Sequence, residues 1–281
     1  EDVVVGGGVY GVLVASALAR RGRRVRVLEA KSIASGASGG PGRRGVRANG
    51  RDLRELPLMT EAYKFWSALG EDFGAHHFYE RTGHLLLLEH EDDLGWVESR
   101  LQVQKSLGIA CCLLTAQDCS RLQPGMTENV SAAIYCENDG VCHHEGFTRE
   151  VARRAEEHGA IIEENSAVVR IEVDGQMVVS VLTSDGRSIE VGGNLFLLAN
   201  SGTAALIESS FGLKLPLWNA CLQVLITDST PHVAVKTLIG HAHRTVSIKS
   251  HAGGRVMISG GWPGSWDKGS QQGYALPESI T

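Results

Sequence analysis

Residues 3–29 decide the fold, and they read VVVGGGVYGVLVASALARRGRRVRVLE. The stretch begins with a β-branched run and continues through the glycine pattern of residues 6–11 and a helix-compatible segment. It ends in a second short strand, Val25–Leu28, which leads into Glu29. The order strand, Gly-x-Gly-x-x-Gly, helix, strand and acid predicts a βαβ unit that binds a dinucleotide. The glycine turn alone is weak evidence, and the prediction depends on its agreement with the flanking strands, helix and acid.

Each glycine of the pattern has a separate physical role. Gly6 permits the tight turn off the first strand, and Gly8 lets the backbone approach a pyrophosphate at the helix N-terminus, where unpaired N–H groups attract anions. Gly11 allows the helix to pack closely on the sheet. Glu29 can accept hydrogen bonds from a ribose diol. We expect this part of the chain to contact the cofactor through Gly6, Gly8, Val9, Tyr10, Gly11, Glu29, Ala30 and Lys31.

The composition is that of an ordinary globular protein. Of 281 residues, 43% are hydrophobic and 21% are charged, which excludes a mainly disordered chain. The net charge of −5 argues against a dedicated nucleic-acid binder. The longest nearly apolar stretch, Val9–Ala19, is too short to span a bilayer. Six cysteines without a Cys-x-x-Cys pair, and no secretory leader, predict reduced thiols and a cytoplasmic location.

The segment after Glu29 points to the type of dinucleotide. Residues 30–45 read AKSIASGASGGPGRRG, and such small residues can wrap a flat ligand with hydroxyls and backbone amides. A flexible linker is the alternative, which the two arginines and the position disfavour. Glu-Ala-Lys followed by this loop resembles the signature of the D-amino-acid-oxidase-type flavoproteins, which include glycine and sarcosine oxidases and D-amino-acid, proline and hydroxyproline dehydrogenases. The resemblance implies FAD rather than NAD, lying along a loop that contains Ser35, Ala37, Ser38 and Gly40.

Four later segments resemble the same family. Residues 138–158 resemble the return from the substrate domain to the cofactor domain, and residues 159–168 resemble a strand pair whose valine backbone meets the adenine, which implies Val168. Residues 195–202 resemble an apolar strand that usually ends in Ala-Gly, where Asn-Ser here is a departure. Residues 246–261 resemble two substrate-domain strands, and the resemblance implies that Lys249 approaches the flavin.

These elements predict an α/β fold in which a Rossmann-like FAD-binding domain is interleaved with an α+β substrate domain on an antiparallel or mixed sheet. We place the FAD-binding domain at residues 1–82 and 140–212, and the substrate domain at 83–139 and 213–276. Residues 277–281 are predicted to begin a helix. In the resembled family a further segment closes over the flavin, so we expect the C-terminal part of the FAD domain to be missing from this chain, which would be a fragment or a remnant.

The expected chemistry follows from the cofactor. A flavin accepts a hydride from the carbon beside an amine. An amino-acid substrate also presents a carboxylate, which needs a bidentate guanidinium or equivalent donors. Arg47 and Arg51 are our candidates from a pool that also contains Arg43 and Arg44; solvated surface arginines are the alternative. Lys249, on an apolar strand, is predicted to be partly desolvated and to favour an anionic flavin, or else to be a snorkelling edge residue.

The histidines do not predict a metal site. His76–His77 and His143–His144 are adjacent pairs, and neighbours on a strand point to opposite faces. His241 and His243 could share a face, but the sequence places no third ligand beside them.

We therefore expect a FAD-dependent oxidoreductase that oxidises the C–N bond of a small amino acid or N-alkyl amino acid, of the D-amino acid, glycine, sarcosine or proline/hydroxyproline type. One alternative is a non-catalytic or partner-dependent flavoprotein subunit of a larger amine dehydrogenase complex. Another is a flavin enzyme acting on a polyol phosphate, for which no phosphate clamp is found. The expected partners are the small substrate and an electron acceptor or partner subunit, with no nucleic acid; peripheral membrane contact is left open.

Overall fold

The computed structural model describes residues 1–36, 42–73, 78–217, 220–230, 232, 234–267, 269–270 and 272–280. Its helices are α1 Val9–Ala19, α2 Leu56–Phe73, α3 Leu94–Ser106, α4 Ala116–Leu122, α5 His144–Glu157 and α6 Thr203–Phe211. Its strands are β1 Asp2–Val5, β2 Val25–Leu28, β3 Arg44–Val46, β4 Tyr79–Glu80, β5 His84–Leu88, β6 Cys111–Thr115, β7 Ala132–Cys136, β8 Gly140–Cys142, β9 Ile161–Glu163, β10 Val168–Asp174, β11 Met177–Thr183, β12 Ser188–Glu190, β13 Leu195–Leu197, β14 Leu222–Ile226, β15 Leu238–His241, β16 Ser247–His251, β17 Arg255–Pro263, β18 Ser265–Asp267 and β19 Gln272–Tyr274.

The chain divides into two compact units, each built from two separate segments. The first unit contains residues 1–41 and 144–219, and the second unit contains residues 42–143 and 220–281. Along the sequence the four segments alternate between the two units, so the units are interleaved as expected.

A parallel four-stranded sheet forms the centre of the first unit, in the order β13-β1-β2-β9. Val3, Val4 and Val5 are all buried, as is typical of parallel strands that are covered on both faces. Val4 packs with residues of α1 and α5 on one face. Val3 and Val5 pack on the other face with residues of α6 and of the antiparallel meander β10-β11-β12. This arrangement confirms the predicted Rossmann-like unit.

The second unit is built on a seven-stranded mixed sheet, in the order β14-β17-β16-β15-β5-β7-β6. All its neighbouring strands are antiparallel except β5 and β15, which run parallel with His84 opposite Leu238. A small sheet, β3-β8-β4, lies in the same unit. The α+β character of this part of the chain is as predicted.

The predicted domain boundaries differ from the division of the structure. We placed residues 42–82 and 140–143 with the cofactor domain, whereas both segments belong to the second unit. The physical reason is strand pairing: β8 pairs antiparallel with both β3 and β4, and this short-strand sheet leaves no periodic signal in the sequence. Residues 213–219, placed with the substrate domain, belong to the first unit.

Most predicted elements are found within a few residues of their expected positions. The helix-compatible segment after the glycine pattern is α1, and the second short strand, expected over Val25–Leu28, is β2. The helix expected to begin at 277 is a single 3-10 turn, Pro277–Ser279. In the part of the chain that the structure describes, no helix is both long and apolar enough to cross a membrane.

Candidate active site

The glycine turn of the first unit is fixed by close backbone approach. Gly6 has φ of +110°, and a Cβ there would lie 2.5 Å from the carbonyl oxygen of Leu198. A Cβ on Gly11 would lie 1.9 Å from the carbonyl oxygen of Gly6. A Cβ on Gly8, in contrast, would meet nothing within 4 Å. The turn therefore requires glycine at two positions for its own packing, while the third position opens onto free space in which a ligand can approach the backbone.

The N-terminus of α1 is a suitable site for an anion. Gly8 is the N-cap residue and supplies no side chain to cap the helix. The first intrahelical bond is donated by the N–H of Val12 to the carbonyl of Gly8. The N–H groups of the preceding turn, which include those of Val9 and Tyr10, have no acceptor inside the helix and point outward with the positive end of the helix dipole. This geometry fits the pyrophosphate of a dinucleotide.

Glu29 joins the glycine turn to the end of β2. Its carboxylate accepts hydrogen bonds from the backbone N–H of Gly7 at 2.6 Å and of Lys31 at 2.9 Å. Its own carbonyl accepts from the N–H of Ser166 at 2.8 Å, two residues before Val168. Each carboxylate oxygen keeps a further lone pair, so Glu29 can still accept from a ribose hydroxyl. The first unit thus brings together the glycine turn, the acid and the start of β10.

Backbone N–H groups of the loop after β2 donate hydrogen bonds to Glu164 and to the glycine turn. The N–H of Ile33 donates to Glu164 at 2.7 Å, and the N–H of Ala34, which has φ of +67°, donates to the carbonyl of Gly7 at 3.1 Å. Ala30, Lys31 and Ser35 are exposed on this loop. The other residues expected to contact the cofactor, Ala37, Ser38 and Gly40, lie outside the described residues.

Lys249 is a buried cation of the second unit. Its side chain is buried, with 4% of the residue exposed, and its Nζ donates to the hydroxyls of Ser247 and Ser259, both at 3.3 Å. The strand register places all three residues on one face of the seven-stranded sheet. Burial first, and then the charges of Arg44 and Arg47, lower the pKa of Lys249 to about 8. Within the described residues no carboxylate forms an ion pair with it.

Two arginines contribute to the same positive region. Burial lowers the pKa of Arg44, and burial together with the charges of Arg51 and Arg100 lowers the pKa of Arg47. Arg47 donates from Nη1 to the carbonyl of Asn49 at 2.8 Å. Three buried or half-buried cations that raise each other's free energy form a region in which an anion would be stabilised.

The other two arginines of the pool are engaged by carboxylates. Arg51 donates to Glu55 at 2.9 Å and to the carbonyl of Arg47 at 2.7 Å. Arg43 forms an ion pair with Glu80 at 2.7 Å. Of our two arginine candidates, Arg47 is the one whose charge lowers the pKa of Lys249, while Arg51 is paired with Glu55. The structure also adds Arg44, which the sequence offered without any feature that distinguished it from its neighbours.

A buried polar cluster next to these cations was not foreseen. Asp139, fully buried, accepts hydrogen bonds from the backbone of Ala48 and Asn49 and from the side chains of Tyr63 and His84. Asp139 belongs to a segment that resembles the family, but Asn-Asp-Gly is also a common turn sequence, so its spacing did not distinguish a buried carboxylate. His84 gave no signal in the sequence.

No metal centre emerges from the described residues, since no three His, Cys, Asp or Glu side chains converge in a way that could hold an ion. His241 uses its Nδ1 to accept the backbone N–H groups of His243 and Arg244, both at 3.1 Å. The Nε2 of His243 lies 2.5 Å from Asp93. His76 and His77 lie outside the described residues.

The chain is similar in sequence and structure to several flavoproteins. The family model for DAO, FAD dependent oxidoreductase, matches residues 3–276. Sarcosine oxidase subunit beta from Arthrobacter sp is 27% identical over 269 residues, an alignment that covers 92% of this chain and 65% of that protein. The chain thus spans somewhat less than two thirds of the length of this relative.

Two solved structures share the fold. L-proline dehydrogenase from P. horikoshii superposes with a TM-score of 0.85 at 24% identity, covering 94% of this chain and 70% of that one. Glycine oxidase from Bacillus cereus ATCC 14579 superposes with a TM-score of 0.77 at 25% identity, covering 100% of this chain and 75% of that one.

Proposed function

The chain belongs to the DAO family of FAD-dependent oxidoreductases, and from that premise we propose that it oxidises the C–N bond of a small amino acid or N-alkyl amino acid. The observation that carries the proposal is the group of cations in the second unit formed by the buried Lys249 and the half-buried Arg44 and Arg47. Relatives named sarcosine oxidase subunit beta, glycine oxidase and D-amino acid dehydrogenase support the same reaction class.

The first unit has the features that FAD requires. Open space in front of Gly8, outward N–H groups at the start of α1 and the anchored carboxylate of Glu29 fit the pyrophosphate and one ribose of a dinucleotide. Val168 is our proposed contact for the adenine. When bound, FAD supplies the two-electron acceptor for the reaction.

The second unit would bind the substrate through its carboxylate. The planar guanidinium of Arg47 matches a carboxylate in two hydrogen bonds, and the charge of Arg44 adds to the attraction for an anion. A carboxylate bound there lowers the free energy of Lys249 in its charged form, because its negative charge offsets the charges of Arg44 and Arg47. Lys249 can also donate a proton from Nζ, and a pKa of about 8 makes that donation accessible near neutral pH.

A spectroscopic titration tests this proposal. The protein expressed from its full reading frame should purify with the absorbance of a flavin, and anaerobic addition of one class among glycine, sarcosine, D-amino acids, L-proline and hydroxyproline should bleach the band near 450 nm. Failure of every amino acid to bleach a fully loaded flavin would contradict the proposed substrate class. A polyol phosphate that bleaches it instead would identify the other reaction.

A second candidate function is that of a flavoprotein subunit that depends on a partner for turnover. It is supported by the relative named a subunit, of which this chain spans 65%. The distinguishing measurement is turnover with an artificial electron acceptor by the isolated chain. Sustained turnover would exclude the dependence, whereas flavin reduction without turnover would favour it. A cytoplasmic location stays part of the proposal.

A further inference from the structure

The side chain of Asp139 connects three other segments of the second unit. It accepts hydrogen bonds from the N–H of Ala48 at 2.7 Å, the N–H of Asn49 at 3.1 Å, the hydroxyl of Tyr63 on α2 and Nδ1 of His84 on β5 at 3.3 Å. A fully buried carboxylate is stable only when its lone pairs are satisfied in this way. Both of its oxygens are therefore committed to fixed donors.

Two of those donors belong to the backbone that immediately follows Arg47. The carbonyl of Asn49 accepts the bond from Arg47 Nη1 at 2.8 Å, so the carboxylate of Asp139 and the guanidinium of Arg47 hold the same dipeptide from two sides. Arg100 adds a hydrogen bond to the carbonyl of Arg51 at 2.8 Å. The position of the Arg47 side chain thus depends on a backbone segment that Asp139 anchors.

The charge of Asp139 acts on the same arginine. It raises the pKa of Arg47, in opposition to burial and to the neighbouring cations Arg51 and Arg100, which lower it. It raises the pKa of Arg100 as well. An amide in place of this carboxylate would keep the size of the side chain, but it would remove the charge and turn one of the two acceptor atoms into a donor.

His84 keeps the carboxylate in place. Burial lowers the pKa of His84 despite the opposing hydrogen bond to Asp139, so the ring is neutral near pH 7 and donates from Nδ1. Its Nε2 faces Gly240, where a Cβ would lie 2.9 Å away. The register of β5, β15 and β16 places His84 on the same sheet face as Lys249.

We propose that Asp139, oriented by His84, is a positioning residue for recognition of the substrate carboxylate: it anchors the Ala48–Asn49 backbone and so holds Arg47 in its binding position. The inference rests on the proposed function, because it assumes that the ligand of Arg47 is a carboxylate. Asp139 itself, fully buried, does not contact the substrate.

Calorimetric titration with acetate and with acetamide separates this role from a merely structural one. We expect Asp139→Asn to weaken acetate about tenfold, equivalent to about 1.4 kcal/mol, and acetamide less than about twofold. Asp93→Asn is the matched control, because Asp93 is another buried aspartate of the second unit with a histidine partner, His243, and without a bond to the Arg47 segment. It should change neither affinity.

A second pair of variants keeps the test decisive if Asp139→Asn does not fold. His84→Gln retains an N–H donor for Asp139 and should bind acetate within about twofold of the wild type, whereas His84→Leu should bind it several-fold more weakly. Equal affinities in the two His84 variants, or equal weakening of acetate and acetamide by Asp139→Asn, would overturn the positioning role. A wild-type protein that does not bind acetate would overturn the proposed carboxylate recognition and this inference together.

Discussion

Replacing Lys249 by methionine should make the protein more stable at neutral pH while it removes the charge from the proposed substrate site. Lys249 is 4% exposed, and its pKa falls from 10.5 to about 8 in the folded chain. A lysine pKa that is lower in the folded than in the unfolded chain means that the protonated amine reduces the free energy of unfolding. Methionine has a similar length and no charge, so it relieves that destabilisation.

The magnitude follows from the two pKa values. A pKa difference of one corresponds to about 1.4 kcal/mol. At pH 7, which is below both pKa values, the charged amine therefore destabilises the fold by about 3 kcal/mol. Between about pH 8 and pH 10.5 the unfolded chain retains the proton that the folded chain has lost, so wild-type stability rises with pH. At pH 10 the remaining destabilisation is about 0.8 kcal/mol. Leaving the hydroxyls of Ser247 and Ser259 without Nζ costs the variant about 1 kcal/mol.

The assay is urea unfolding of the wild type and Lys249→Met at pH 7 and pH 10, in one state of flavin loading. We expect the variant to be about 2 kcal/mol more stable at pH 7 and to lose that advantage at pH 10. Lys105→Met, at an exposed position, is the control and should change stability by less than about 0.5 kcal/mol at both values. A difference between wild type and Lys249→Met that is independent of pH would refute the reasoning.

Three further substitutions test the proposed cofactor contacts of the first unit and the proposed carboxylate-binding residue of the second unit. Gly11→Ala places a Cβ 1.9 Å from the carbonyl oxygen of Gly6 and should abolish flavin binding, seen as loss of the 450 nm absorbance; a fully loaded variant would contradict the assignment of the glycine turn. Glu29→Gln should raise the Kd for FAD about tenfold in a fluorescence titration, because an amide cannot accept from both Gly7 and Lys31, and an unchanged Kd would argue against this acid. Arg47→Ala should raise KM for a carboxylate substrate about 100-fold, whereas Arg51→Ala, whose guanidinium is paired with Glu55, should raise it less than about fivefold; the reverse order would reassign the carboxylate-binding residue.

The cofactor half of the molecule could be predicted from the sequence because its physical constraints are local. The glycine spacing, the helix that follows and Glu29 lie within 27 residues, 3–29, and their order is the one that a dinucleotide-binding βαβ unit requires. The structure adds that Glu29 also fixes the turn through Gly7, a hydrogen bond between residues 22 positions apart.

The substrate half could be predicted only in part, because its contacts join distant segments. The apolar surroundings of Lys249 indicated desolvation, but the tertiary packing that brings the charges of Arg44 and Arg47 close enough to act on it was not encoded in any periodicity. Arg47 is preferred over Arg51 as the carboxylate-binding candidate because Arg51 forms an ion pair with Glu55, four residues later in the chain. That spacing could be read from the sequence, but by itself it does not show that Arg47 binds the substrate. Asp139 and His84 meet through the register of β5 and β7, in which His84 lies opposite Cys136, and sequence spacing cannot supply this pairing.

The parallel pairing of β5 with β15 has a consequence for the order in which the chain folds. β5, β7 and β6 come from one contiguous stretch, whereas β15 is synthesised roughly 150 residues after its partner. At a translation rate of about 5–20 residues per second, that interval lasts roughly 8–30 s. Throughout it, the edge of His84–Leu88, whose sequence is HLLLL, has no strand beside it and can pair with another nascent chain. The aggregation hazard of this protein is therefore set by the timing of its synthesis, at a strand that lies in the interior of the finished sheet.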